Sequence, residues 1–253
     1  MTSLAQHIPP IPEPFSLTLL VGTRETPVTF LIHYYLNHCI REGLKVCFVS
    51  FSKTLDEHTD ALRKWAIQGT DVRTKPNFYY VDGYSMLFAP AISTNKIQAN
   101  DVKNNPKQVF APVIDCLQRN EFDTKNSILI IEDIDVLLST NSLQATQLQE
   151  AVFELQKTSG RAVVNVSVGA PLPRQVSFAK SIGHLATRCI SCRPLTSGNA
   201  RRITGFMRVT KGPNHFLQRS GHELPEEDDN EVLYEVTETH AIIHPKGQVT
   251  LQL

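Results

Sequence analysis

Five short apolar runs, separated by stretches of helical pattern, constrain the fold of this chain more than any other feature. They are Leu17 to Val21 (LTLLV), Lys45 to Phe51 (KVCFVSF), Phe78 to Val81 (FYYV), Ser127 to Ile131 (SILII) and Ala162 to Val168 (AVVNVSV). All five are predominantly apolar, so each reads as a strand covered on both sides. Such strands alternating with helices require a mostly parallel sheet with helices on both faces. The intervening helices are expected over Pro27 to Glu42, Asp56 to Gln68, Val109 to Arg119 and Ser142 to Thr158. Thr26 suits the N-cap of the first, Pro27 its first position and Gly43 its stop. Leu62, Trp65 and Ala66 share one side of the second.

The last third changes character. Arg201 to Thr210, Val232 to Thr237 and Gln248 to Leu253 read as strands, with Pro245-Lys246-Gly247 as a turn. They are expected as antiparallel strands added to one edge of the sheet. Residues 89–106 form the best candidate for a long surface loop. Residues 1–14, with Pro9, Pro10, Pro12 and Pro14, read as an extended lead-in. The expectation is one α/β domain over residues 1–253, a size able to bury roughly three quarters of its unfolded surface.

Composition narrows the class. With 41% hydrophobic and 20% charged residues the chain is ordinary globular material, and no apolar run approaches the roughly 20 residues that span a bilayer. The first residues lack the charged start and apolar stretch of a secretory signal. Cys39, Cys47, Cys116, Cys189 and Cys192 are an odd set, which fits reduced thiols of cytoplasm or nucleus better than a disulfide framework. Cys189 and Cys192 form a lone C-x-x-C without a second ligand pair. On a strand, that offset points the two thiols to opposite faces, so no metal site is expected.

The charges balance, 25 against 25, but are unevenly placed. Leu155 to His222 contains no Asp or Glu and eleven Lys or Arg, whereas Glu223 to Glu238 holds eight acids and no Lys or Arg. Gly169 to Gln175 and Arg193 to Arg202 read as flexible basic loops. Arg174, Arg193, Arg201 and Arg202 are therefore candidate RNA contacts, since phosphate binding needs cations without nearby acids. Pairing with the acidic stretch, within the chain or across a subunit contact, is the competing reading.

The first strand, turn and helix keep the spacing of a phosphate loop, which needs Gly, four residues, then Gly-Lys-Ser/Thr. Gly22 fills the first glycine and Thr29 the hydroxyl position, but Pro27 and Val28 replace Gly-Lys. Pro27 has no N–H to offer a phosphate, Val28 brings no charge, and Glu25 adds a negative one inside the would-be cradle. The strand ILIIED, ending in Glu132 and Asp133, looks like the magnesium-holding acidic strand of the same machinery. The two features, 110 residues apart, point to a RecA-like ancestor whose ATPase site has decayed. No G-x-S-x-G, H-E-x-x-H or G-x-G-x-x-G pattern offers another chemistry, so no catalytic residue and no cofactor is expected.

The segments LTLLVGTRETPVT, SILIIEDIDVLL, RRITGFMRVTKGP and EVLYEVTETHAIIHPKG resemble the Elongator complex protein 6 family. The resemblance runs from Phe15 onward and implies a RecA-like fold without a usable phosphate loop. It further implies a place in a hetero-hexameric ring with the fourth and fifth Elongator subunits, contact with the larger subunits, and tRNA binding that supports wobble-uridine modification. Cytoplasm and nucleus are the matching compartments. In such a ring, loops after the central strands face the channel. Two other functions stay open: an NTPase with a non-standard phosphate loop, and a RecA-like accessory protein of DNA recombination.

Overall fold

The computed structural model describes residues 2–65, 71–88, 106–140, 142–169, 173–196, 203–214 and 231–244. The chain begins with β1 (Thr2–Ser3), β2 (Ser16–Gly22), α1 (Thr29–Arg41), β3 (Lys45–Ser50) and α2 (Leu55–Trp65). It continues through β4 (Phe78–Asp82), α3 (Gly83–Phe88), α4 (Pro106–Val109), α5 (Ala111–Arg119) and β5 (Ser127–Glu132). After these come α6 (Val136–Ser139), α7 (Ala145–Ser159), β6 (Arg161–Ser167) and α8 (Pro173–Leu185). The strands β7 (Arg188–Arg193), β8 (Gly205–Lys211), β9 (Val232–Val236) and β10 (Ala241–His244) follow.

All ten strands join one sheet in the order β1-β10-β9-β8-β7-β2-β6-β5-β3-β4. The six from β7 to β4 run parallel, and β8, β9, β10 and β1 add antiparallel at one edge. This is the mostly parallel sheet expected from the apolar runs, with the antiparallel strands expected at one edge.

Period-2 side-chain alternation divides the core between the two faces of the sheet. Leu19, Val49, Leu129, Ile131 and Val164 turn to one face, against Val113 and Leu117 of α5, Leu148 and Val152 of α7, and Phe178 of α8. Leu20, Phe48, Ile128, Ile130 and Val163 turn to the other, against Leu31, Tyr35 and Leu36 of α1 and Leu62 of α2. Every residue of β5 is buried, which explains why SILII carries no polar alternation. Gly43 ends α1 with φ +77°, a left-handed conformation that glycine adopts at no steric cost.

Several sequence expectations need correction. The first helix starts at Thr29 with Val28 as its cap, two residues after the expected start at Pro27, because Thr26 is taken up by the preceding loop. The helix expected from Val109 is two, with Phe110 capping the second. The helix expected from Ser142 begins at Ala145, closed by reciprocal hydrogen bonds between Gln144 and Gln147. The segment Gly169 to Gln175 is not all loop, since α8 begins at Pro173, and Arg193 is the last residue of a strand. The lead-in is not only a lead-in: Thr2 and Ser3 pair with Ile243 and Ile242. Expectations on residues 66–68, 89–105, 201–202, 215–230 and 245–253 lie outside the described residues.

Candidate functional site

Parallel strands bring their carboxyl ends to one rim, where open α/β sheets bind ligands. Here that rim carries Gly22, Ser50, Glu132 and Ser167, with Gly22 paired to Ser167 and Ser50 to Glu132. The loop with phosphate-loop spacing and the acidic strand therefore end at the same rim.

The loop after β2 closes on itself instead of around an anion. Thr23 N–H donates to the Thr26 carbonyl at 3.2 Å, and Thr26 N–H donates to Thr23 Oγ1 at 3.1 Å. The two hydroxyls meet at 2.8 Å, and Thr26 Oγ1 donates to the Cys192 carbonyl on β7 at 3.3 Å. Two backbone donors of the loop, Thr23 N–H and Thr26 N–H, are thus used inside the turn. The turn presses on Gly22, where an added Cβ would stand 2.9 Å from the Thr26 carbonyl oxygen. Val28, at the position of the phosphate-binding lysine, is 2% exposed and packs in the core. Val28 therefore offers no charged side chain to the rim.

A cation does occupy the rim, supplied by a residue that the sequence reading missed. Lys53, just after β3, donates from Nζ to Thr29 Oγ1 at 3.3 Å. Its own backbone is held by Ser50 Oγ, which accepts from Lys53 N–H at 3.2 Å, and by Tyr80 Oη, which donates to the Lys53 carbonyl at 3.0 Å. The same ammonium favours ionisation of both Glu132 and Asp133.

One carboxylate oxygen of Glu132, Oε2, is likewise engaged inside the chain, while Oε1 is buried without a hydrogen-bond partner. His58 Nε2 lies 2.8 Å from Glu132 Oε2, with both side chains fully buried. Ser50 Oγ donates to the same oxygen at 2.8 Å, and Ser52 Oγ approaches it at 3.4 Å. Behind His58, its Nδ1 meets His33 Nε2 at 3.1 Å. Burial alone would raise the Glu132 pKa, but the hydrogen bond and charge of His58, with Lys53 and Ser50, hold it below the usual carboxylate range. Burial pushes His33 down to about 3, with the His58 charge adding to that, so His33 stays neutral in this relay.

The neighbouring acids are also tied up. Asp133 has φ +50°, a left-handed conformation uncommon outside Gly, Asn and Asp. Its N–H donates to Asn165 Oδ1 at 2.9 Å, and its carboxylate accepts from Ser167 Oγ at 2.9 Å. Burial, then the Glu132 charge, raises its pKa. Asp135 accepts from Ser167 N–H at 2.8 Å and Gln175 Nε2 at 2.9 Å, and burial pushes it up to about 6. Among the described residues no group of three or more His, Cys, Asp or Glu is arranged to hold a metal ion. Cys189 and Cys192 do sit on opposite faces of β7.

The candidate RNA contacts are scattered. Arg174 lies in the first turn of α8, beside a cleft that Gln144 and Gln147 also line. Arg193 makes a two-pronged pair with Glu231, at 2.6 and 2.7 Å, with its guanidinium 4.4 Å above the Phe206 ring. At that position, pairing with the acidic stretch is realised. Arg161 is buried and donates to the carbonyls of Pro12, Lys125 and Ser127, so it is a structural cation. Arg201 and Arg202 lie outside the described residues.

The flagellar accessory protein FlaH from Methanocaldococcus jannaschii superposes with a TM-score of 0.59 over 91% of this chain and 90% of its own, at 13% identity. That likeness concerns the fold alone. The Elongator complex protein 6 homolog of Schizosaccharomyces pombe is 61% identical over 254 residues, covering 100% of both chains. Elongator complex protein 6 of Xenopus tropicalis is 21% identical over 91% of this chain and 90% of its own. The human protein of that name is 22% identical over 83% and 84%. A family model described as Elongation complex protein 6 matches residues 6–224, and the chain belongs to that family.

Proposed function

We propose that the chain is a non-catalytic subunit of the Elongator complex that keeps a RecA-like fold for its surfaces. The observation that carries the loss of catalysis is the internal occupation of the rim. Lys53 sits on the Thr29 hydroxyl, and His58 and Ser50 claim Glu132, where magnesium and the nucleotide phosphates would have to enter. The burial of Val28 and the use of the Thr23 and Thr26 amides inside the turn support the loss of phosphoryl transfer.

Membership of the Elongation complex protein 6 family supports assembly with other Elongator subunits. The finer reading is a hetero-hexameric ring shared with the fourth and fifth subunits, binding tRNA and supporting wobble-uridine modification in cytoplasm and nucleus. The acid-free stretch from Leu155 to His222 supplies cations for such contacts. The test is to purify the tagged native protein and identify its companions by mass spectrometry. Stoichiometric recovery of two other RecA-like chains, with the larger Elongator subunits in lesser amount, is expected. Recovery with recombination proteins, or alone, would overturn the assignment.

A further inference from the structure

Cys47 on β3 and Cys116 on α5 bring their sulfurs to 3.8 Å, although they are 69 residues apart in sequence. Cys47 faces the side of the sheet opposite Phe48 and the His33–His58 pair, so these thiols stand outside the nucleotide rim. The two are not equivalent. Cys47 is fully buried, whereas Cys116 is partly exposed. Two donors converge on the Cys116 sulfur: the Cys47 S–H, and Asn120 Nδ2 at 3.7 Å. Donors aimed at one accessible sulfur favour its thiolate, the nucleophilic form.

We propose that Cys47 and Cys116 are a peroxide-responsive dithiol that closes to an intramolecular disulfide tying α5 to β3. The Cys116 thiolate attacks a hydroperoxide, breaking the O–O bond to give a sulfenic acid and releasing water or an alcohol. The Cys47 sulfur then attacks the sulfenic sulfur. The S–S bond forms, the S–O bond breaks, and the Cys47 proton leaves with the hydroxide as water. Two thiols are oxidised by two electrons and one hydroperoxide is reduced. An S–S bond of about 2.05 Å requires the sulfurs, now 3.8 Å apart, to close by roughly 1.8 Å.

The surrounding thiols set the contrast. The Cys47 hydrogen bond, and then Asn120, keep Cys116 below the ordinary thiol range against the effect of burial. Burial pushes Cys189 up to about 11, and Cys39 and Cys192 up to about 12.

The experiment exposes the full chain to hydrogen peroxide, blocks free thiols with iodoacetamide, and maps peptides without reductant. The expected product is a Cys47–Cys116 cross-link with loss of two hydrogens, reversed by dithiothreitol. In the untreated chain, Cys116 should alkylate on the order of tenfold faster than Cys189. Cys47→Ser should stop at a Cys116 sulfenic acid that dimedone traps. Should that variant fail to fold, Cys116→Ser provides a second arm, in which Cys47 stays reduced under the same treatment. Sulfinic or sulfonic Cys116 beside a free Cys47 would overturn the proposal. So would a dominant cross-link between any other pair, or an oxidised Cys47 in Cys116→Ser.

Discussion

Lys53 Nζ donates to Thr29 Oγ1 at 3.3 Å, joining the turn after β3 to the first residue of α1. Thr29 stands at the hydroxyl position of the phosphate-loop spacing, and its partner is an ammonium from the same chain. Val28 brings no charge to the rim, and Lys53 in the turn after β3 brings one.

Truncating one partner of the Glu132–His58 contact should be costly, because both side chains are fully buried. Glu132→Ala should destabilise by about 3–5 kcal/mol, since it strands a polar imidazole against the core. Adding His58→Ala should cost less than the sum of the single changes. Urea unfolding of the four proteins in the cycle measures both quantities, and strict additivity would show that the two residues are not coupled.

Acid stability should depend on opposed titrations. His33 has a folded pKa of about 3, below its ordinary 6.5, so the unfolded chain binds the extra proton between those values. Its contribution is complete above pH 6.5 and is lost as pH falls toward 3, by about 1.4 kcal/mol per pH unit. Glu132, with its pKa lowered, acts in the same sense at the acid end. Asp135, raised from 3.8 to about 6, acts in the opposite sense: its contribution is present below pH 3.8 and lost as pH rises through 6. Asp135→Asn should therefore steepen the acid loss of stability between pH 6 and 4. Replacing His33 with Phe should flatten it. Unfolding midpoints across pH for the three proteins test the signs.

Restoring the missing lysine should not restore nucleotide binding. Val28 is 2% exposed, so Val28→Lys buries an ammonium without a counter-ion at a cost of several kcal/mol. A large fall in melting temperature with no gain in ATP affinity is expected. A stable variant that binds ATP would mean that the loop opens readily.

For RNA, the pairing of Arg193 with Glu231 predicts an unusual result. Glu231→Gln should free one cation and steepen the salt dependence of RNA binding by about one phosphate contact. Arg193→Ala should leave that slope nearly unchanged. Changing Arg193, Arg201 and Arg202 together to Ala should make it shallower if the basic stretch binds. Titrations of tRNA over a range of salt concentrations would separate these outcomes.

The layered fold was legible in the sequence because strands such as Ser127–Glu132 are buried on both faces and show it as uninterrupted apolar runs. Gly43 marked the end of α1 because only its left-handed backbone needed glycine. The start of α1 was misjudged because Thr26 caps no helix; it closes a loop and reaches across to β7, a contact 166 residues away in sequence. Lys53, His33 and His58 gave no local signal. They reach Thr29 and Glu132 only because the sheet places β3 beside β5 and packs α1 and α2 on one face. The strand at Thr2–Ser3 was hidden for the same reason, since its partner lies at Ala241–His244.

The central claim, an internally occupied nucleotide rim, is tested most directly by titrating magnesium-ATP into the purified chain while following heat and melting temperature. The account predicts no saturable heat and an unchanged melting temperature up to millimolar nucleotide. Saturable one-to-one binding, with the stabilisation of about 2.7 kcal/mol that a ligand at a hundred times its Kd confers, would contradict it.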